Sequence, residues 1–226
     1  MTQPIPESTL PTIAILGGTG KEGPGLALRW AHAGYPIIIG SRQKEKAEAT
    51  AAELNAQLGT TNITGMENHD AARQASICVL TVVATAHQEA IQSLKETLQG
   101  KVLVDATARV DFRDPLPPSP PSAARMSQEH LGPQVRVVAA FQNVPAHILR
   151  KNLDEPLQSA VLVCADDLAA AQDVIRLAKA GGMQAFYAGG LDNAVVVEGM
   201  TALLISINKH YGVKTASIEV SGIITP

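Results

Sequence analysis

Aromatic side chains are almost missing from this chain: Phe, Tyr and Trp together make up 3% of its 226 residues. Its core must therefore be built from Ala, Val, Ile and Leu, a palette suited to helices packed closely on a parallel sheet. Cysteine is nearly as scarce. Cys78 and Cys164 lie far apart, each inside an apolar run, and form neither a CxxC nor a zinc-ligand spacing. Both read as buried, reduced thiols, and no metal site is expected. An excess of one charge is lacking too. A net charge of -3 and a pI near 6.1 exclude the broad basic surface of a nucleic-acid binder. The longest apolar segment, Ala194 to Ile207, is interrupted by Glu198 and reads as too short to span a bilayer. Met1 to Pro11 has neither the basic start nor the apolar stretch of a secretory signal. The expectation is a globular cytoplasmic protein with no membrane and no nucleic acid among its partners.

What is present is a rhythm of short apolar runs and longer helical patterns. Strands are predicted over Thr12 to Leu16, Pro36 to Ile39, Asn62 to Met66, Ile77 to Val83, Lys101 to Asp105 and Val135 to Ala140. Helices are predicted over Gly23 to Ala33, Gln43 to Leu58, Asn68 to Gln74 and Gln88 to Leu98. Such βαβ alternation implies a Rossmann-type, doubly wound, mainly parallel sheet. Pro115, Pro117, Pro118, Pro120 and Pro121 then mark a surface excursion, because proline continues neither a helix nor a central strand. Beyond it the pattern predicts strands at Ala160 to Cys164 and Gln184 to Tyr187, a helix at Asp167 to Ala180, and a final apolar helix from Asn193 to His210. These divide the chain into a dinucleotide-binding domain, residues 1–145, and a smaller α/β lobe, residues 146–226, which would carry the substrate cleft and a dimer contact.

The most informative segment is Gly17-Gly18-Thr19-Gly20-Lys21-Glu22-Gly23. Gly18, Gly20 and Gly23 form a GxGxxG that follows an apolar strand and opens a helix, the context that gives this otherwise weak pattern its meaning. Gly18 permits the tight turn, Gly20 lets a pyrophosphate reach the backbone, and Gly23 lets helix and strand approach. The helix N-terminus adds free N–H groups and a positive dipole end.

The end of the second strand selects the dinucleotide. An NAD site places Asp or Glu there for the ribose 2′-OH. Here the chain reads Gly40-Ser41-Arg42, with Lys44 and Lys46 just beyond. A hydroxyl, a guanidinium and an ammonium attract the 2′-phosphate of NADP, which a carboxylate would repel. Cations at a helix start oppose its dipole, so an anion bound between Ser41, Arg42 and Lys46 explains them best. Lys44 reads as solvated.

These residues resemble the NADPH-dependent coenzyme F-420 reductases. The likeness runs from AILGGTGKEGPGLALRWAHAGYPIIIGSRQKEKAEA through NITGMENHDAARQASICVLTV and VRVVAAFQNVPAHIL to VEGMTALLISINKHYGVKTASIEVSGI, most of the chain in order. It implies hydride transfer between NADP(H) and coenzyme F-420, a small-molecule redox partner, in a homodimer. It also implies that Gly18, Thr19, Gly20, Lys21, Glu22 and Gly23 hold the phosphates, that Ser41, Arg42 and Lys46 hold the 2′-phosphate, and that Val82 and Val83 lie beside the cofactor. Gln142, Asn143, Val144, Pro145 and Ala146 would line the deazaflavin pocket. Two segments depart from the family pattern. Val83-Ala84-Thr85-Ala86-His87 stands where some relatives carry Pro-Trp, and Phe141-Gln142-Asn143 lacks a histidine that many relatives have.

Hydride transfer between stacked rings depends on proximity more than on acid–base groups, and no catalytic side chain is assigned. No Ser-His-Asp pattern with local context, HExxH or meaningful carboxylate pair is visible. His87, placed after the fourth strand, and His147 are the two histidines within reach of a substrate, with a structural or solvent-facing role the stronger reading for each. Asp105, at a strand end, reads as a loop-orienting residue. Two other functions stay open on these residues: reduction of a ketone, imine or ferric complex on the same NADP domain, and a non-catalytic NADP(H)-sensing module.

Overall fold

A computed structural model describes residues 10–223. Its first half is wound from β1 (Ile13–Leu16), α1 (Gly23–His32), β2 (Ile37–Ser41), α2 (Lys44–Leu58), β3 (Ile63–Glu67), α3 (Asn68–Gln74), β4 (Ile77–Leu80), α4 (Ala84–Leu94) and β5 (Val102–Asp105). Then follow α5 (Ala123–Leu131), β6 (Arg136–Ala139), α6 (Ala146–Leu149), β7 (Leu157–Ala165), α7 (Leu168–Ala180), β8 (Met183–Tyr187), a 3-10 turn at Leu191–Asn193 and α8 (Ala194–Tyr211). The strands form one eight-stranded sheet in the order β3-β2-β1-β4-β5-β6-β7-β8. All neighbours are parallel except β6 and β7. The Rossmann-type expectation holds.

Strand composition explains the layering. β1 buries every residue, Ile13 and Ile15 toward one face and Ala14 and Leu16 toward the other. That period-two split feeds two cores, as a parallel sheet covered on both faces requires. α1, α2, α6 and α7 close the Ile13/Ile15 side, and α3, α4, α5 and α8 close the Ala14/Leu16 side. Two of the few aromatics, Trp30 and Phe141, are fully buried and meet at one point. Trp30 meets Phe141 edge-on at 5.6 Å and donates its Nε1–H to Leu177 O at 2.9 Å.

Two helices differ from the sequence reading. α5 was not expected, since the prolines before it suggested a longer loop. Its signals are nevertheless present: Ser122 Oγ accepts the Arg125 N–H at 3.0 Å, and Gly132 ends the helix. α4 begins at Ala84 rather than Gln88, and this turns His87 inward. The last apolar run is also longer than expected. With its 3-10 turn it spans Leu191–Tyr211, long and apolar enough to cross a membrane by length and composition, yet Glu198 within it is fully buried against protein.

Candidate active site

In the order β3-β2-β1-β4-β5 the side on which strands are added switches between β1 and β4, and in open α/β sheets ligands gather beyond the strand ends at such a point. The glycine loop leaves β1 there. Gly17 takes φ +72°, and its N–H donates to Asn68 Oδ1 at 3.0 Å. Gly18 N–H donates to Ile15 O and to Gly40 O, which locks the loop against the end of β2. Asn68 was not singled out from sequence, although its place directly after β3 and its amide make it a natural loop anchor.

The three motif glycines differ in what constrains them. A methyl group at Gly18 would sit 2.6 Å from Ile15 O, and one at Gly23 would sit 2.6 Å from Gly18 Cα. Both are held by protein. At Gly20 the nearest protein atom would be Gly17 O at 3.7 Å. Packing does not demand glycine there, and the space in front of Gly20 is open. The N–H groups of Thr19, Lys21 and Glu22 have no protein acceptor among the described residues. They are what an incoming anion would satisfy.

At the end of β2, Ser41 is buried and its Oγ accepts the Gln43 N–H at 3.2 Å, leaving the hydroxyl proton free to donate. Arg42 and Lys46 are exposed and form no ion pair among the described residues. Lys44 pairs with Glu48 at 3.6 Å. Arg42 precedes the extended Gln43 and so lies outside α2, which holds Lys46.

Across the crevice, Thr81 follows β4 and donates its N–H to Leu16 O at 3.0 Å. Val82 Cγ1 would touch a methyl at Gly17 at 2.6 Å, so it packs directly on the glycine loop. Val83 is exposed. After β6, Phe141 takes φ +76° and swings Gln142–Ala146 across the neighbouring strand ends. Gln142 Nε2 donates to Asp105 O at 2.8 Å, Asn143 Nδ2 donates to Ala160 O at 2.6 Å, and Thr201 Oγ1 donates to Gln142 O at 2.8 Å. Gln142 Oε1 and Asn143 Oδ1 are buried without a partner. Val144 belongs to the core, whereas Pro145 and Ala146 are half-buried at the start of α6.

A buried polar cluster underlies this edge. His87 Nε2 lies 2.7 Å from Asp105 Oδ2 and 3.0 Å from Ser127 Oγ, and Ser127 Oγ donates to Asp105 Oδ2 at 2.7 Å. A nucleophilic triad uses two imidazole nitrogens, one for each partner. Here Nε2 alone faces both and Ser127 is buried, so the cluster is a structural clamp. Burial disfavours both charges, but hydrogen bonding and mutual attraction outweigh it. Asp105 is held below the usual carboxylate range and His87 above the usual imidazole one. Asp105 Oδ1 also accepts the Thr107 N–H at 3.0 Å, the loop-orienting role its position suggested. His147 is exposed. Beside the cluster, Glu198 accepts from Arg109 Nε at 3.0 Å and from the Ala123 N–H, tying the proline-rich segment to α8.

Fold and loop together define a dinucleotide-binding protein of the Rossmann class. Residues 12–109 match the family described as NADP oxidoreductase coenzyme F420-dependent. The chain is 41% identical to the F420-dependent NADP reductase of Methanocaldococcus jannaschii over 93% of this chain and 98% of that one. It is 38% identical to the reductase of the same name from Methanothermobacter thermautotrophicus, over 93% of this chain and 95% of that one. A solved Arthrobacter sp. FB24 structure, described as a candidate F420-dependent NADP reductase, shares the fold with a TM-score of 0.77 at 24% identity, over 93% of this chain and 99% of that one. The chain belongs to the F420-dependent NADP reductase family.

Proposed function

We propose that this chain is an oxidoreductase that passes hydride between NADP(H) and the deazaflavin coenzyme F-420. Family membership over nearly the full length of the relatives supports the reaction. The observation that carries the site is the glycine loop, with three N–H groups lacking protein acceptors around a glycine that the fold itself does not require. Gly18 to Gly23 then hold the pyrophosphate, and Ser41, Arg42 and Lys46 hold the 2′-phosphate. Val82 and Val83 flank the nicotinamide. Gln142 to Ala146 form the floor on which the second ring sits, with the half-buried Pro145 and Ala146 at its surface. Both redox groups bring their own hydride chemistry, and the protein supplies position and exclusion of water. Residues 146–226 complete the cleft. α8 exposes Val196, Leu203 and Ile207, which suits a homodimer contact. The protein acts in the cytoplasm.

The test is anaerobic mixing with NADPH and oxidised F-420, followed through loss of the deazaflavin's visible absorbance. Rapid bleaching is expected, and Ala146→Trp should slow it at least tenfold by displacing the second ring while NADPH affinity holds within a few-fold. Unchanged turnover in that variant would put the deazaflavin elsewhere. For the cofactor, Arg42→Ala should weaken NADPH binding by about 1.5–3 kcal/mol, roughly ten- to a hundredfold, through loss of a charge-assisted contact. Titration with NADH should show no comparable loss. Equal losses for both dinucleotides would make Arg42 structural.

A further inference from the structure

Glu22 stands inside the phosphate-binding loop, two residues past Gly20 and directly before the first turn of α1. An acid is an unexpected occupant there, because its ionised form would face the same pyrophosphate that the loop N–H groups attract. It does not act as a helix cap: its side chain makes no capping hydrogen bond, and its Oε1 is buried without any partner. No cation neutralises it. Lys21, Arg42 and Lys46 are exposed, as are Glu45 of α2 and Lys179 of α7, and none of them meets Glu22; the other charges on the helices packed against α1 are engaged elsewhere. In α2, Lys44 pairs with Glu48 and Glu53 with Arg150. In α7, Arg176 pairs with Asp173, while His147 of α6 points to solvent. Within α1 itself, Arg29 donates to the carbonyls of Leu149, Asn152 and Glu155, and His32 meets Asp154 at 3.1 Å. Glu22 is half-buried, and a carboxyl with one oxygen enclosed and neither cation nor donor among the described residues is pushed toward its protonated form.

We propose that Glu22 couples a proton to NADP(H) binding: the loop takes the dinucleotide with the Glu22 carboxyl neutral, and ionisation of that carboxyl expels it. This deepens the cofactor reading above and rests on it. Burial alone raises the Glu22 carboxyl to about 8, so the coupling falls just above neutral pH. A dinucleotide carrying several negative charges raises it further when bound, and affinity then declines about tenfold per pH unit above that value.

The experiment compares NADPH binding by wild type and Glu22→Gln between pH 7 and 9.5, a window above the second ionisation of the 2′-phosphate near about 6. Wild type should weaken roughly thirtyfold across it, from a midpoint near about 8, and Glu22→Gln should stay flat within a few-fold. Calorimetry of the unaltered protein in buffers of different ionisation enthalpy gives a second readout that needs no variant. At pH 9, about nine-tenths of a proton should be taken up per NADPH bound. A flat wild-type profile, a parallel decline in Glu22→Gln, or no proton uptake overturns the proposal. If neither protein binds NADPH at pH 7, the cofactor reading fails as well, which separates the two failures.

Discussion

Gly20→Val is expected to abolish NADP(H) binding in a protein that still folds. The nearest protein atoms to a methyl at this position would be Gly17 O at 3.7 Å and Thr81 O at 3.8 Å, ordinary contact distances, so the fold accepts a side chain. What the side chain fills is the volume through which a pyrophosphate must reach the N–H groups of Thr19, Lys21 and Glu22. Calorimetric titration should show affinity reduced by more than about a hundredfold, the loss of several charge-assisted hydrogen bonds together. The melting temperature should move by no more than a few degrees. Gly23→Val serves as the opposite control. A methyl there would meet Gly18 Cα and Gly18 O, each at 2.6 Å, so α1 and the loop must separate. Its effect is a loss of stability, at least the ~1–3 kcal/mol typical of overpacking. Retained NADPH affinity in Gly20→Val would reduce the glycine loop to a turn.

Asp105→Ala should cause the largest loss of stability of any single polar substitution proposed for this fold. Asp105 is fully buried and accepts from His87, Ser127 and the Thr107 N–H. Removing it strands three buried groups at once. Breaking a buried pair from one side costs about 3–5 kcal/mol, out of a total stability of about 5–15 kcal/mol. For a chain of this size the melting temperature should fall by roughly 6–20 °C. The sign of the pH dependence is fixed by the two shifts. Burial opposes the Asp105 charge but its hydrogen bonds prevail, so its carboxyl lies below 3.8. Its contribution is complete above that value and is lost as pH falls through the lowered one. Burial likewise opposes the His87 charge and Asp105 outweighs it, so His87 lies above 6.5. Its contribution is complete below 6.5 and is lost as pH rises through the raised value. The gap between wild type and Asp105→Ala in thermal melts should therefore be widest between those limits and narrow on either side. A constant gap from acid to alkaline pH would mean that the pair is not ionised.

Much of this site was legible in the sequence because its signals are local. Gly20 and Gly23 are two ends of one turn, and Ser41-Arg42 marks the end of the strand that follows, so strand–loop–helix order alone placed them. Gln142 to Ala146 were proposed from their place after a strand end and from the family resemblance, whereas their buried amides answer to Asp105 and Ala160, residues remote in the chain. α5 was hidden by the prolines that precede it, although Ser122 and Gly132 bounded it.

By itself the sequence determined the layered architecture, since runs such as Ile13-Ala14-Ile15-Leu16 bury on both faces only in a parallel sheet covered twice. It also determined the glycine loop after β1 and the cations after β2 on which the proposed NADP site rests, since both depend on residue type at fixed offsets. The tertiary structure decided the rest. It turned His87 into a clamp by starting α4 one turn early, so that Nε2 met Asp105 and Ser127 from two other elements. It distinguished Gly20 from its neighbours, because only assembled packing shows which glycine is crowded by protein and which has open space before it. It also buried one carboxyl oxygen of Glu22 without a partner among the described residues, a property no sequence offset contains, because burial and the lack of a counter-charge are set by everything that packs around the side chain.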